Sequence, residues 1–170
     1  DIEARKQRAA LVSVAVKVVL TLAKFVAAAL SGSLALLSEA GNNLGDVAVT
    51  LLSFHSIRVA AKPADEDHQF GHAKIEALSA LVQTGFLFAL AVFILIEAVK
   101  RLVAGGADVE PGPFAFAVLV LSIVVDASRW WSLNKVAKET RSPALAADAL
   151  NFVTDIVASL AGLASAVILL

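Results

Sequence analysis

The sequence of 170 residues contains no cysteine, no methionine and no tyrosine, and only 17% of it is charged. Without cysteine there is neither a disulfide framework nor a thiolate metal site. The missing methionine and tyrosine exclude nothing by themselves. Formal net charge is −1, so no basic field marks nucleic acid as a partner. There is no His-Glu-x-x-His run and no Ser/His/Asp arrangement, so the chain does not read as an enzyme. No low-complexity segment and no soluble domain appears. The weak alternation of a membrane barrel strand is missing as well.

What is abundant is hydrocarbon. Hydrophobic residues make up 59% of the chain and mean hydropathy is +0.82, against ~45–50% apolar residues in soluble domains. A helix needs about 20 apolar residues to cross a hydrocarbon core of ~30 Å, and five segments qualify, at roughly 9–30, 34–60, 74–102, 113–135 and 143–170. Ser31-Gly32-Ser33 turns the chain between the first two. Lys62-Pro63 ends the second, Gly105-Gly106 closes the third, and Pro113 and Pro143 stand at helix starts. The first segment holds Lys17 and Lys24 and runs too long for a signal-peptide core. Backbone groups in lipid must be satisfied internally. The predicted fold is therefore all-α, a polytopic transmembrane helix bundle forming one domain over residues 1–170. The missing initiator Met and the uncapped apolar end at Leu170 lead to the expectation of a longer parent chain.

Lysine and arginine set the orientation. Arg5, Lys6 and Arg8 precede the first segment. Arg58, Lys62 and Lys74 flank the second loop, and Lys135, Lys138 and Arg141 follow the fourth segment. These regions are assigned to the cytoplasm of a cell (inner) membrane, with the N-terminus inside. Lys100 and Arg101 run against the trend. Trp130 and Trp131 read as interfacial anchors.

One word occurs twice. Glu39-Ala40-Gly41-Asn42-Asn43-Leu44-Gly45-Asp46 and Asp148-Ala149-Leu150-Asn151-Phe152-Val153-Thr154-Asp155 are both acid-Ala-x-Asn-x-x-x-Asp. Residues i, i+3 and i+7 share a helix face, so each word is a ladder of oxygen ligands. An acid at the bilayer centre costs about 2.5–3.5 kcal/mol and defaults to function. The two ladders are expected to face each other and make an oxygen-lined pocket for a cation, although Asn42 and Asn151, each taken alone, read as interhelical hydrogen-bonding residues. Gly41 and Gly45 would let the second and fifth helices approach. Glu97 and Asp126, nearer segment ends, carry mostly structural weight, and His55 reads as a packing or interfacial histidine.

A second constellation follows the second segment. In Pro63-Ala64-Asp65-Glu66-Asp67-His68-Gln69-Phe70-Gly71-His72-Ala73-Lys74, the carboxylate of Asp65 and the imidazoles of His68 and His72 suit Zn, Mn, Fe or Co. A capped loop with exposed histidines is the other reading of the same residues.

Together these residues resemble the cation diffusion facilitator family. The likeness runs through Ser33-Leu34-Ala35-Leu36-Leu37-Ser38-Glu39-Ala40 into Asn42 and Asp46, then Pro63-Ala64-Asp65, His68, Gly71-His72 and Lys74-x-Glu76, and last Asp148-Ala149, Asn151 and Asp155. The resemblance implies a homodimeric secondary transporter in the lipid bilayer that exports divalent cations from the cytoplasm in exchange for protons. It implies metal ligation by Asn42, Asp46, Asn151 and Asp155, a peripheral metal at Asp65, His68 and His72, and charge contacts of Lys74 near the dimer surface. The family's sixth helix and cytoplasmic metal-sensing domain are not in this sequence and are expected in the longer chain. The alternative is a non-transporting metal-sensing or structural membrane protein using the same sites.

Zinc-selective relatives carry histidine among the four ligands, whereas this chain has two amides there. Two carboxylates and two amide oxygens lean toward Mn²⁺, Fe²⁺ or Mg²⁺, while the family keeps Zn²⁺ and Co²⁺ in play. No organic cofactor is implied. With no histidine in the main pocket, protons must load Asp46 and Asp155, and Glu39 and Asp148 are placed to relay them.

Overall fold

The computed structural model describes residues 1–31, 34–66, 69–103 and 113–168. Its helices are α1 (Ile2–Ser31), α2 (Leu34–Ala60), α3 (Lys74–Val103), α4 (Pro113–Thr140) and α5 (Pro143–Ile168). No strand occurs among the described residues. α1 starts ahead of Ala9 and α4 continues past Lys135. Helix hydrogen bonding carries on through Lys, Arg and Glu residues that an apolar count leaves out.

The joint between α4 and α5 shows local sequence at work. Arg141 adopts φ 50°, and Ser142 N–H donates to the Ala137 carbonyl at 3.0 Å, which closes α4 with a Schellman-type turn. Ser142 then caps α5: its Oγ accepts from Leu145 N–H at 3.2 Å, and Pro143 fills the first helical position, where no N–H is needed. The left-handed position carries a side chain where glycine fits without strain. Arg141→Gly should therefore stabilise the protein by up to about 1 kcal/mol, read as a raised thermal midpoint in detergent. A lowered midpoint would mean that the Arg141 side chain makes a compensating contact.

The helices close into a ring. α1 packs along α2 and α4, α2 along α3, α3 along α5, and α5 along α4, with a shorter contact between α2 and α5 across the middle. One end is filled by Ala10, Ile57, Leu133, Ala137, Ala144, Leu145, Ala149 and Phe152. The outer surface is greasy: Val19, Leu22, Leu81, Phe88, Leu121 and Val157 are all exposed. The polar groups are turned inward, and Lys17, Lys24, Asp46, Asp126, Asp148 and Asn151 are at most 2% exposed. This sorting is what a lipid solvent selects, because lipid offers tails to apolar side chains and nothing to charges.

Four helices are long and apolar enough to span a bilayer: Ile2–Leu30, Lys74–Phe93, Phe116–Thr140 and Pro143–Leu160. The chain is an integral membrane protein. α2 is also long, at 27 residues. It falls short on apolarity because it carries Glu39, Asn42, Asn43 and Asp46. Trp131 lies on the outside with Lys135 Nζ 6.0 Å from its ring centroid, in keeping with the interfacial expectation. Glycine does not play the role expected of it. A Cβ on Gly45 would meet Phe86 of α3 at 3.1 Å, and one on Gly41 would meet nothing within 4 Å. Gly45 thus seats α2 against α3, because the ladder face and the glycine face of α2 point in different directions.

Candidate metal centre

Three of the four expected ligands come together. Asn42 and Asp46 on α2 and Asp155 on α5 line one cavity of about 50 Å³, together with Leu90 of α3 and Thr154 and Ala158 of α5. A space of this size admits a cation and water. Asp46 is 2% exposed and its Oδ1 has no hydrogen-bond partner. A buried carboxylate oxygen without a partner is costly, and a bound cation supplies what it lacks. Asn151 stands apart from this lining. It is 0% exposed, and neither Oδ1 nor Nδ2 has a hydrogen-bond partner. An unsatisfied buried polar group costs about 1–3 kcal/mol, so interhelical hydrogen bonding does not account for this amide.

The lining also includes an ion pair. Lys24 Nζ donates to Glu39 Oε1 at 2.7 Å, and both residues reach the same cavity. The Asn43 amide bridges them. Its oxygen accepts from Lys24 Nζ at 3.1 Å, and its nitrogen donates to the Glu39 carbonyl at 3.1 Å. Lys17 Nζ donates to Asp155 Oδ2 and lies 4.3 Å from the Phe152 ring centroid. Asp148 is 0% exposed and accepts from Thr50 Oγ1 at 2.9 Å. Arg129 donates to Ser13 Oγ at 3.1 Å and to the Ala9 carbonyl at 3.3 Å.

Lys17, Lys24 and Asp126 are the residues that sequence spacing undervalued. The two lysines sit at i and i+7, on one face of α1, opposite two ladders of acids, and that complementary spacing was the available signal. Asp126 sits deep in the interior at 2% exposure with Oδ1 unpartnered, and it is within electrostatic reach of Lys17 and Lys24. Its distance from the ends of α4 became plain only when that helix proved longer than its apolar run. The side chain of Glu97 lies outside the described residues.

At the loop after α2, Asp65 and His72 come together, with Asp65 Oδ2 3.5 Å from His72 Nε2. His72 is buried and Asp65 exposed. His68 lies outside the described residues. Among the described residues, no three acids, histidines or cysteines gather as a metal-holding group; the main cavity is lined by the carboxylates of Glu39, Asp46 and Asp155 and the amides of Asn42 and Asn43. His55 is exposed. Close by the loop, Glu76 accepts from Lys6 Nζ at 3.1 Å and from Ser142 Oγ, which ties α1, α3 and the cap of α5 together.

The arrangement offers hard oxygen donors, with Glu39, Asp46 and Asp155 as its acids, in a ring of long apolar helices. Residues 10–170 match the cation efflux transmembrane domain. The cation-efflux pump FieF of Serratia proteamaculans is 35% identical over 153 residues, covering 87% of this chain and 49% of that protein. The proteins of the same name from Salmonella arizonae and Shigella boydii serotype 18 are each 31% identical, over 88% of this chain and 49% of theirs. The chain thus spans about half the length of the curated relatives it matches. By its transmembrane domain, this chain belongs to the cation diffusion facilitator family of metal cation efflux transporters.

Proposed function

We propose that the chain forms the membrane part of a secondary transporter that exports divalent metal cations from the cytoplasm in exchange for protons. The observation that carries this reading is the shared cavity of Asn42, Asp46 and Asp155 inside the bundle of a cation efflux protein. Asn151, buried and unsatisfied next to Phe152, completes the donor set when α5 turns toward the cavity. Oxygen donors of this kind lean toward Mn²⁺ and Fe²⁺ rather than Zn²⁺. Asp65, His68 and His72 form a peripheral metal position. The working unit is a homodimer in the inner membrane with its N-terminus in the cytoplasm.

Charge balance supports the exchange. Among the described side chains of the ring interior, the acids are Glu39, Asp46, Asp126, Asp148 and Asp155, and the cations are Lys17, Lys24 and Arg129. The acids exceed the cations by two. One divalent cation neutralises that excess, and so do two protons, which is the condition for alternating the two in a low-dielectric interior.

The test is reconstitution of the protein in sealed vesicles that contain a metal-sensitive dye. A proton gradient of the opposite direction should drive Mn²⁺ uptake, and collapsing it with a protonophore should stop accumulation. Metal binding without flux would defeat the transport reading and leave a sensor or structural protein.

A further inference from the structure

The cavity has a competitor built into the chain. We propose that Lys17 is a tethered counter-ion: its ammonium holds Asp155 while the site is empty of metal, and an incoming divalent cation displaces it. This rests on the metal reading of the cavity given above and adds the group that metal must evict.

Three observations carry it. First, Lys17 contacts the one ligand that α5 contributes to the cavity lining. Lys17 itself does not line the cavity, so it grips Asp155 from behind. Second, Lys17 is 1% exposed and seated over Phe152, so water cannot substitute for its partner. An ammonium and a divalent cation in one poorly screened space repel strongly. A carboxylate that already satisfies an ammonium is also a weaker ligand. Third, the displaced ammonium has somewhere to go. Asp126 Oδ1 and Asp148 Oδ2 are buried without hydrogen-bond partners, and both carboxylates lie within electrostatic reach of Lys17, as do Asp46 and the like-charged Lys24. Moving from Asp155 toward Asp126 or Asp148 exchanges one buried ion pair for another. It frees Asp155 without stranding a charge. The interior therefore has two arrangements of the same charges, and metal selects one of them.

Mn²⁺ binding to the purified chain in detergent, followed by the electron paramagnetic resonance signal of the free ion, tests this. Lys17→Met should bind Mn²⁺ at least about tenfold more tightly than the unaltered protein, because a like charge next to the ion is gone. Lys17→Arg, which keeps the charge, should stay close to the unaltered protein. Equal affinity in the Met variant and the unaltered protein overturns the proposal. A second measurement needs no neutral variant to fold. In protein labelled with ¹⁵N-lysine, the Lys17 ammonium resonance, identified by its loss in Lys17→Arg, should shift on saturation with Zn²⁺. A resonance that stays in place with Zn²⁺ bound overturns displacement. If none of the proteins binds Mn²⁺ or Zn²⁺, the metal reading of the cavity itself falls, which is a different outcome from equal affinities.

Discussion

Asp46→Asn should abolish metal flux in reconstituted vesicles, with a loss of initial rate of at least about a hundredfold, and leave the protein folded. The two halves of that result have separate causes. Flux fails because Asp46 is the carboxylate of the lining that no described ion pair already holds, Glu39 and Asp155 being bonded to Lys24 and Lys17, and its charge attracts a divalent ion where water screens little. The fold survives because no described hydrogen bond depends on the lost charge. Asp46 Oδ1 has no partner. The cations within its electrostatic reach, Lys17 and Lys24, are bonded to Asp155 and Glu39 instead. Asparagine matches aspartate in shape, so the buried position is not overpacked. Flux and thermal unfolding followed by the fluorescence of Trp130 and Trp131 check both halves. A variant retaining more than a tenth of the original rate would remove Asp46 from the site.

Asp155→Asn should behave differently, although it also removes a cavity carboxylate. Here Lys17 loses its direct counter-ion. Breaking a buried ion pair from one side costs about 3–5 kcal/mol. Asp46, Asp126 and Asp148 remain within reach of Lys17, which keeps the loss below that range. The expected result is loss of flux together with a measurable fall in thermal midpoint. Pairing the change with Lys17→Met removes the displaced charge, so the double variant should regain most of the stability and none of the flux. That non-additivity is the signature of a direct contact. Two single losses that simply add in the double variant would show that Lys17 and Asp155 do not depend on each other.

Helix number and several helix ends were legible because they are local. Pro143 starts α5, Pro113 starts α4, and Lys62-Pro63 follows the end of α2, each through short-range backbone chemistry. The repeated acid-Ala-x-Asn-x-x-x-Asp word was legible as a pair of faces for the same reason. Helix rotation was not. Spacing says that Asn151 and Asp155 share a face, but not that α5 turns Asp155 into the cavity and Asn151 away from its lining. It says that Gly45 is small, but not that Phe86 of α3 fills the space beside it. Lys17 and Lys24 were read only by what they deny to a signal peptide. Their partners are set by tertiary packing, 138 residues away for Lys17 and 15 for Lys24.

That difference in span has a consequence for biosynthesis. A chain emerging from the ribosome delivers Glu39 to Lys24 almost at once, so the first two helices can enter the bilayer as a neutralised hairpin. Lys17 meets Asp46 of the second helix within electrostatic reach, but its bonded partner, Asp155, is made only with the fifth helix. Until then the nascent protein carries a cation without its bonded counter-ion, and this favours keeping the first helix beside the insertion machinery until the fifth one arrives.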